Sequence, residues 1–529
     1  MQLIRILLVL VSTLTLLSCT KRKDKLPHDL KYEETLRVNL SAEPPTLDWN
    51  RAADVQSGLI IENLMEGLMD YDFSDPDLSV KGALAEKWEF VGDTSRWRFH
   101  LRKGVKWSDG QDFVAQHVVD GWERLLNPAT ASEYSYFLYG LKNGRAYNEG
   151  KITDFSQVGV KIVNPHQIDV ELDGPQSYFP YLLTHTSTYP LRKDIVEKGG
   201  DAWTEPKNIV TLGPYLLKIW EHDSLVILEA NPTYYGQKPF VKNVLARIVK
   251  DQFTAKNLFD AKKLDALMDL PSVELASLKK RKEYRETGIL GTYYLGFNAN
   301  KAPLDNLSVR KALIQAIDRK QITDMLGGGQ VPLSSWVPPG MFGYEPDFGI
   351  GFNVEQARKL LDEAGYKDRG TFPTIYFGFN TNEDHKRVAE NVQMQLKKNL
   401  GINVELKNGE WKVYLDSLKT DPPHIFRMGW IADYPDPDNF FALMTSYSNN
   451  NHTLWGNSQF DKLIGEAKTE ADKQERRRMY AKAQKILVEE DSPVMPIFAY
   501  VSQLLVADRV DNFPINSMLK FRYKEVKLK

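Results

Sequence analysis

Short stretches in which every second residue is apolar alternate along this chain with longer ones in which apolar residues recur every three or four positions. Successive side chains point to opposite faces of a strand, whereas a helix brings i, i+3 and i+4 together, so the first pattern predicts strands and the second helices. Leu36, Val38 and Leu40 alternate with Arg37 and Asn39, which predicts a strand over 35–40 with one wet face. Trp97, Phe99 and Leu101 alternate with Arg98, His100 and Arg102 and predict a second, over 97–102. Short apolar runs place further strands at 427–431 and 494–498. Helices are expected over 55–68, over 113–126 with Asp112 as N-cap, over 355–364 with Gly365 as its stop, and over 462–467 and 476–488. Strands interleaved with helices, with no tandem repeat, give an α/β class rather than a solenoid.

At 529 residues the chain exceeds what one hydrophobic core can serve, so two to four domains are expected. Its net charge of −2 provides no basic field to gather nucleic acid, which excludes that partner as a main one. The N-terminus carries one cation, Arg5, and then an apolar or small run from Ile6 to Leu17. That run is shorter than the ~20 residues a bilayer span needs, but it suits a secretory signal over 1–18. It ends at Leu16-Leu17-Ser18-Cys19, and Cys19 is the only cysteine, so no internal disulfide can form. The tetrapeptide resembles the lipobox of bacterial lipoproteins. Lipidation at Cys19, a charged tether over 19–33 and attachment to the periplasmic face of a bacterial membrane are the expectations.

The stretch with the most chemistry is Arg427 to Asp438: a cation, an indole at Trp430, a short apolar run, then Asp433, Asp436 and Asp438 among prolines. Pro435 and Pro437 cannot donate to a ladder, so the strand stops before them and Asp433 falls at its end. A cation and an anion at opposite ends of an extended backbone match the two charged termini of a peptide. The bland alternative is a surface ion pair and a loop.

Several segments in order then carry a family likeness. They are Pro44-Pro45-Thr46-Leu47-Asp48, Glu66-Gly67-Leu68, the Trp97 strand, Val105-Lys106-Trp107-Ser108-Asp109-Gly110, and Val118 to Leu125 with Trp122 and Arg124. Gly213-Pro214-Tyr215, Asn231-Pro232-Thr233-Tyr234-Tyr235 and Val309 to Arg319 continue it toward the C-terminus. Together they resemble the extracytoplasmic oligopeptide-binding proteins of ABC importers. The resemblance implies a two-lobed periplasmic-binding-protein fold, a three-domain clamp with mixed sheets and a hinge, acting as a monomer and handing short peptides to an ABC permease in the inner membrane. It implies a discontinuous first domain (34–65, 190–295 and 505–529), a second over 66–189 and a third over 296–504, with crossovers near 189–215 and 290–298. By the same likeness Asp433 pairs with the peptide's α-ammonium, and the backbones of Gly429 to Ile431 and of Ala53, Asp54 and Val55 flank the ligand. Tyr134, Trp411 and Trp430 wall side-chain pockets, and Arg427 and His385 meet the carboxylate end. The family's further cations are missing: Leu326-Gly327-Gly328-Gly329 stands where a lysine is expected, and no arginine lies near Leu418.

An enzyme is disfavoured, since the chain has no Gly-x-Ser-x-Gly elbow, His-Glu-x-x-His or P-loop. Neither a cofactor nor a metal is expected, the aspartates at 433, 436 and 438 lacking the spacing of a calcium loop. The alternatives are a receptor for another solute of the superfamily (a murein peptide, a nickel chelate, haem) or a periplasmic chaperone-like binder.

Overall fold

The computed structural model describes residues 25–529 apart from 74, 76, 77 and 177. The expected signal segment and Cys19 lie outside the described residues. An 11-stranded mixed sheet forms the spine. Its order runs Val404–Gly409, Ile375–Asn380, Ile425–Ile431, Tyr284–Phe297, Val494–Val506, Ala266–Leu267, Thr35–Leu40, Asn243–Ile248, Leu225–Ala230 and Tyr215–Glu221, with Val331–Pro332 beside Val494–Val506. A separate antiparallel sheet pairs Ala85–Val91, Asp93–Leu101, Gln167–Glu171 and Val160–Asn164 in that order.

Two long antiparallel strands, Tyr284–Phe297 and Val494–Val506, occupy the middle of the spine and carry the chain between its halves. The second crossing is thus made by 494–506. The stretch 189–215, expected to make one, instead leads from the helices packed on the small sheet to the outermost strand, Tyr215–Glu221. The second reads as short from sequence because Pro496 interrupts its pattern, and glycines at 288, 291 and 296 break up the pattern of the first. The ladder accommodates them with register shifts after Gly288 and after Tyr293.

The strand Thr35–Leu40 forms where its alternation predicts, but both faces are buried. Parallel partners flank it on either edge, and each of its six residues is buried, which leaves no wet face. Arg37 is accommodated by a bidentate pair with Asp265, Nε to Oδ2 at 2.9 Å and Nη2 to Oδ1 at 2.6 Å. Losing either partner would strand a buried charge.

The helix expected over 55–68 runs Val55–Leu64, capped by Asp54, whose Oδ1 accepts from the Gln56 and Ser57 amides at 3.0 and 3.1 Å. It stops at Leu64, where Met65 turns extended, and Gly67 just beyond packs against the Leu183 carbonyl and the Tyr189 ring, which a Cβ would strike. The helix expected from 113 starts at Ala115. Asp112 is not its cap: the carboxylate turns to Lys106 Nζ at 2.7 Å, and His117 Nδ1 accepts from the Val114 amide at 3.3 Å instead. Among the described residues no helix is long and apolar enough to cross a membrane.

Candidate functional site

The strand Ile425–Ile431 pairs along its length with Tyr284–Phe297, Trp430 opposite Thr292 and Gly429 opposite Tyr293. On its other side the parallel strand Ile375–Asn380 reaches only Ile425 and Phe426. Backbone groups in a strand alternate sides. The Ala432 amide donates inward to Leu290 O at 2.7 Å, whereas the Arg427 carbonyl turns outward and accepts the Tyr414 hydroxyl at 2.6 Å. By that alternation Gly429 and Ile431 present their N–H and C=O groups to the unpaired side, and this side is a cavity wall.

Two connected cavities lie there, of about 340 and about 180 Å³. Val55, Trp411, Arg427, Ile431 and Tyr500 line both. The smaller also takes in Ala53, Asp54, Tyr134, Gly429, Trp430 and Asp433, and the larger takes in His385. All eleven residues named from the sequence therefore reach one continuous cleft. Trp411 opens the helix Trp411–Thr420 and its Nε1 donates to Asp54 Oδ1 at 3.4 Å, which joins two walls of the cleft.

Asp433 stands just beyond the strand, and its surroundings come from distant parts of the chain. His185 Nε2 lies 3.3 Å from Oδ1, while Asn439 Nδ2 and the Tyr134 hydroxyl reach Oδ2 at 3.2 and 3.4 Å. Asn439 is the hub, since its Oδ1 also accepts the Asp433 amide at 3.0 Å and Trp430 Nε1 at 2.9 Å. The Tyr71 hydroxyl fixes the Asp433 carbonyl at 2.7 Å. Burial would raise the carboxyl's pKa, but His185, Lys520 and Asn439 outweigh it and hold the group below its usual range, so it is ionised at neutral pH. The neighbouring acids have other duties: Asp436 makes a bidentate pair with Arg476 at 2.7 Å, and Asp438 accepts the Tyr434 hydroxyl at 2.8 Å.

Arg427 is 8% exposed and, among the described residues, meets only neutral groups. Nη1 donates to Asn380 Oδ1 at 3.1 Å and Nη2 to the Tyr500 hydroxyl at 2.8 Å; the guanidinium lies 4.7 Å from the Tyr293 ring centroid, and Nε has no partner. Gly429 makes this possible, because a Cβ there would collide with the Tyr500 hydroxyl. Gly429→Ala is expected to displace Tyr500, release one Arg427 contact and lower ligand affinity roughly tenfold or more, about the worth of one hydrogen bond to a charged group. Titration calorimetry checks this, and unchanged affinity would show that Tyr500 does not orient Arg427.

His385 sits in the first turn of Glu383–Leu400, its ring centroid 5.6 Å from that of Tyr293. Burial and the nearby Arg427 keep its pKa well below the ordinary imidazole value. It is therefore neutral and offers a hydrogen bond where a cation was expected. Lys419, next to the missing arginine, pairs with Glu133 at 2.6 Å and lines neither cavity. The larger cavity adds Asp269, whose pKa burial pushes up to about 6, and Asp384. His185, Asn439, Tyr71, Tyr293 and Tyr500 were not legible as site residues. Each is remote in sequence from the Arg427 strand except Asn439, and an Asn two residues after Pro437 reads as an ordinary turn residue.

Residues 79–452 match the family model described as bacterial extracellular solute-binding proteins, family 5 Middle. The chain is 35% identical over 512 residues to the oligopeptide-binding protein OppA of Bacillus subtilis, covering 93% of each. Among solved structures, Haemophilus influenzae OppA in complex with the peptide RPPGFSPFR superposes with a TM-score of 0.89 at 32% identity, over 94% of this chain and 99% of that one. The Escherichia coli murein tripeptide-binding protein MppA also gives 0.89, at 30% identity and with the same coverage. Its unliganded open form gives 0.63 over 94% of this chain and 98% of that one, so the cleft described here has the closed arrangement. The chain belongs to the family 5 bacterial extracellular solute-binding proteins.

Proposed function

We propose that the protein captures short peptides in this cleft, outside the cytoplasm, and delivers them to an ABC importer. The observation that carries this reading is the unpaired edge at Gly429 and Ile431, bounded by an ionised, buried Asp433 and a buried Arg427 that has no carboxylate partner among the described residues. An added strand satisfies such an edge through its main chain, whatever its side chains. Asp433 takes the α-ammonium, and Arg427, with a hydrogen bond from His385, takes the carboxylate. Tyr134, Trp411 and Trp430 wall the pockets, and Ala53 to Val55 flank the ligand opposite the Arg427 strand. Asp433 lies six positions after Arg427, which at ~3.3 Å per residue limits the spacing to roughly 20 Å. Peptides of a few residues fit that span.

The domain division read from the sequence (34–65 with 190–295 and 505–529, then 66–189, then 296–504) makes Tyr284–Phe297 and Val494–Val506 the hinge. Peptide binding favours the closed form, which is the form the permease engages. Cys19 carries the lipid that holds the receptor at the membrane. Loss of metabolic palmitate labelling in Cys19→Ser is the expected result for the anchor.

Native mass spectrometry of purified protein is expected to show co-purified peptides, and a pool of peptides two to six residues long, murein peptides included, should be retained intact. Acetylated peptides should bind far more weakly than free ones. Equal binding of the two, or peptides returned shortened, would overturn the reading.

A further inference from the structure

Where the long strands cross the cleft, Val494–Val506 lacks one of its two neighbours. Val331–Pro332 pairs with it at Ala499 and Phe498, and Ala266–Leu267 pairs at Val506 and Leu505. Between those patches, residues 500–504 keep Tyr284–Phe297 on one side and have no strand on the other among the described residues. Which groups face the gap follows from the alternation of an antiparallel ladder. The Ala507 amide donates to Asp265 O at 2.8 Å on the gap side, and the Val506 amide to Glu283 O at 2.9 Å on the paired side. Counting back by twos, Gln503 and Val501 turn their N–H and C=O groups to the gap. No partner meets those main-chain groups among the described residues. The gap opens into the larger cavity, whose wall includes Val501, Ser502 and Gln503. Along the whole strand only 500–502 are half-buried, and the rest is buried.

A bare edge of this kind is a template for another strand. Its position decides which. The edge is continuous with the one at Gly429 and Ile431, because Arg427, Ile431 and Tyr500 line both cavities. This chain closes the gap at both ends, with Met268 just after one flanking strand and Gln330 just before the other, and both line the cavity. Five residues at ~3.3 Å each leave roughly 17 Å, which suits a short segment and not the edge of another protein. The Gln503 side chain is committed to the Gly328 carbonyl, so the free groups at this edge are main-chain ones. We propose that the larger cavity takes the main chain of a peptide that continues past Arg427, seated as an added strand on Val501 and Gln503. The proposal rests on the peptide-receptor reading and extends it to guests longer than the span from Asp433 to Arg427. In such a guest Arg427 meets an internal carbonyl in place of the terminal carboxylate.

The test uses the full chain freed of co-purified ligand by unfolding and refolding. Affinities of tetra-alanine amide and of the same peptide extended by Ser-Thr-Ser amide are read by calorimetry; both present a carbonyl, not a carboxylate, to Arg427. The extended peptide is expected to bind roughly tenfold tighter, the worth of one or two hydrogen bonds. Val501→Pro removes an N–H that faces the gap and leaves the ladder to Tyr284–Phe297 its own donors. In that variant the ratio of the two affinities should fall toward one. A second measurement needs no variant: N-methylation of the three added residues in turn should erase the gain at alternate positions, as strand pairing requires. Equal or weaker binding of the extended peptide would overturn the proposal and leave the peptide reading standing. So would a gain that no N-methyl group reduces. Binding of no peptide, amide or free acid, would overturn both.

Discussion

Replacing Asp433 by alanine will weaken binding of peptides with a free amino terminus by about 2–5 kcal/mol, the range for truncating one partner of a desolvated charge pair. The carboxylate is only 12% exposed, so water cannot replace it as the ammonium's partner. Calorimetry with free and N-acetylated forms of one peptide separates this effect from general damage, because the acetylated form should bind parent and variant alike. A smaller cost falls on the ligand-free protein. His185, Asn439 and Tyr134 each lose an acceptor, and donors left unsatisfied cost about 1–3 kcal/mol. The pH dependence has a definite sign. Because the folded pKa of Asp433 is depressed, its stabilising share is full above the unfolded value near 3.9 and is lost as pH falls through the lower folded value. From pH 5 to 8 Asp433 should contribute no variation in affinity. Equal loss of free and acetylated peptides in the variant would remove Asp433 from the ammonium's partners.

The elements that decide this site were legible to different degrees, for physical reasons. Ile425–Ile431 could be read because prolines end it and its residue types are what a strand accepts, and Asp433 followed as the first charged residue past that end. Arg427, Gly429, Trp430, Ile431 and Asp433 share one wall because they sit on that strand or just beyond it, whereas Ala53 to Val55, Tyr134, His385 and Trp411 were named by the family likeness alone and reach the cleft from other segments. What surrounds Asp433 could not be read: His185 and Tyr71 approach from more than two hundred residues away, and no local pattern encodes that contact. Alternation at Arg37 and Asn39 predicted a solvated face, yet Asp265 lies in a different segment and supplies the charge that allows burial. Asp112 was misread because a carboxylate before a helix can cap it or pair with a nearby cation, and Lys106 lies across the turn. The neutral state of His385 depends on burial against Tyr293 and Arg427, a tertiary fact. Sequence could therefore locate the anchors, but not assign their charges.

Arg427 leads to a second large effect, with opposite signs in the free and bound protein. In the ligand-free protein its guanidinium has given up water for an amide oxygen, a phenol and a ring face, none of which carries a full charge. Such a cation is costly to hold, and Asp269 offsets it only through space. Arg427→Met keeps most of the aliphatic stem and removes the charge. The ligand-free variant should be as stable as the parent or more so, by up to about 3 kcal/mol, in urea unfolding. Bound peptide reverses the order, because the parent then gains a charge-assisted pair with the carboxylate that the variant cannot make. Peptide affinity should drop by about 2–5 kcal/mol for free carboxylates and far less for C-terminal amides. The two signs together are diagnostic, since a purely structural arginine would destabilise the free protein when removed, and a purely steering one would leave both forms unchanged. Unfolding curves recorded with and without a saturating free-acid peptide, and again with its amide, decide between them. Lower stability of the ligand-free variant would mean that Arg427 serves the fold, and the carboxylate end of the guest would then have no charged anchor in this cleft.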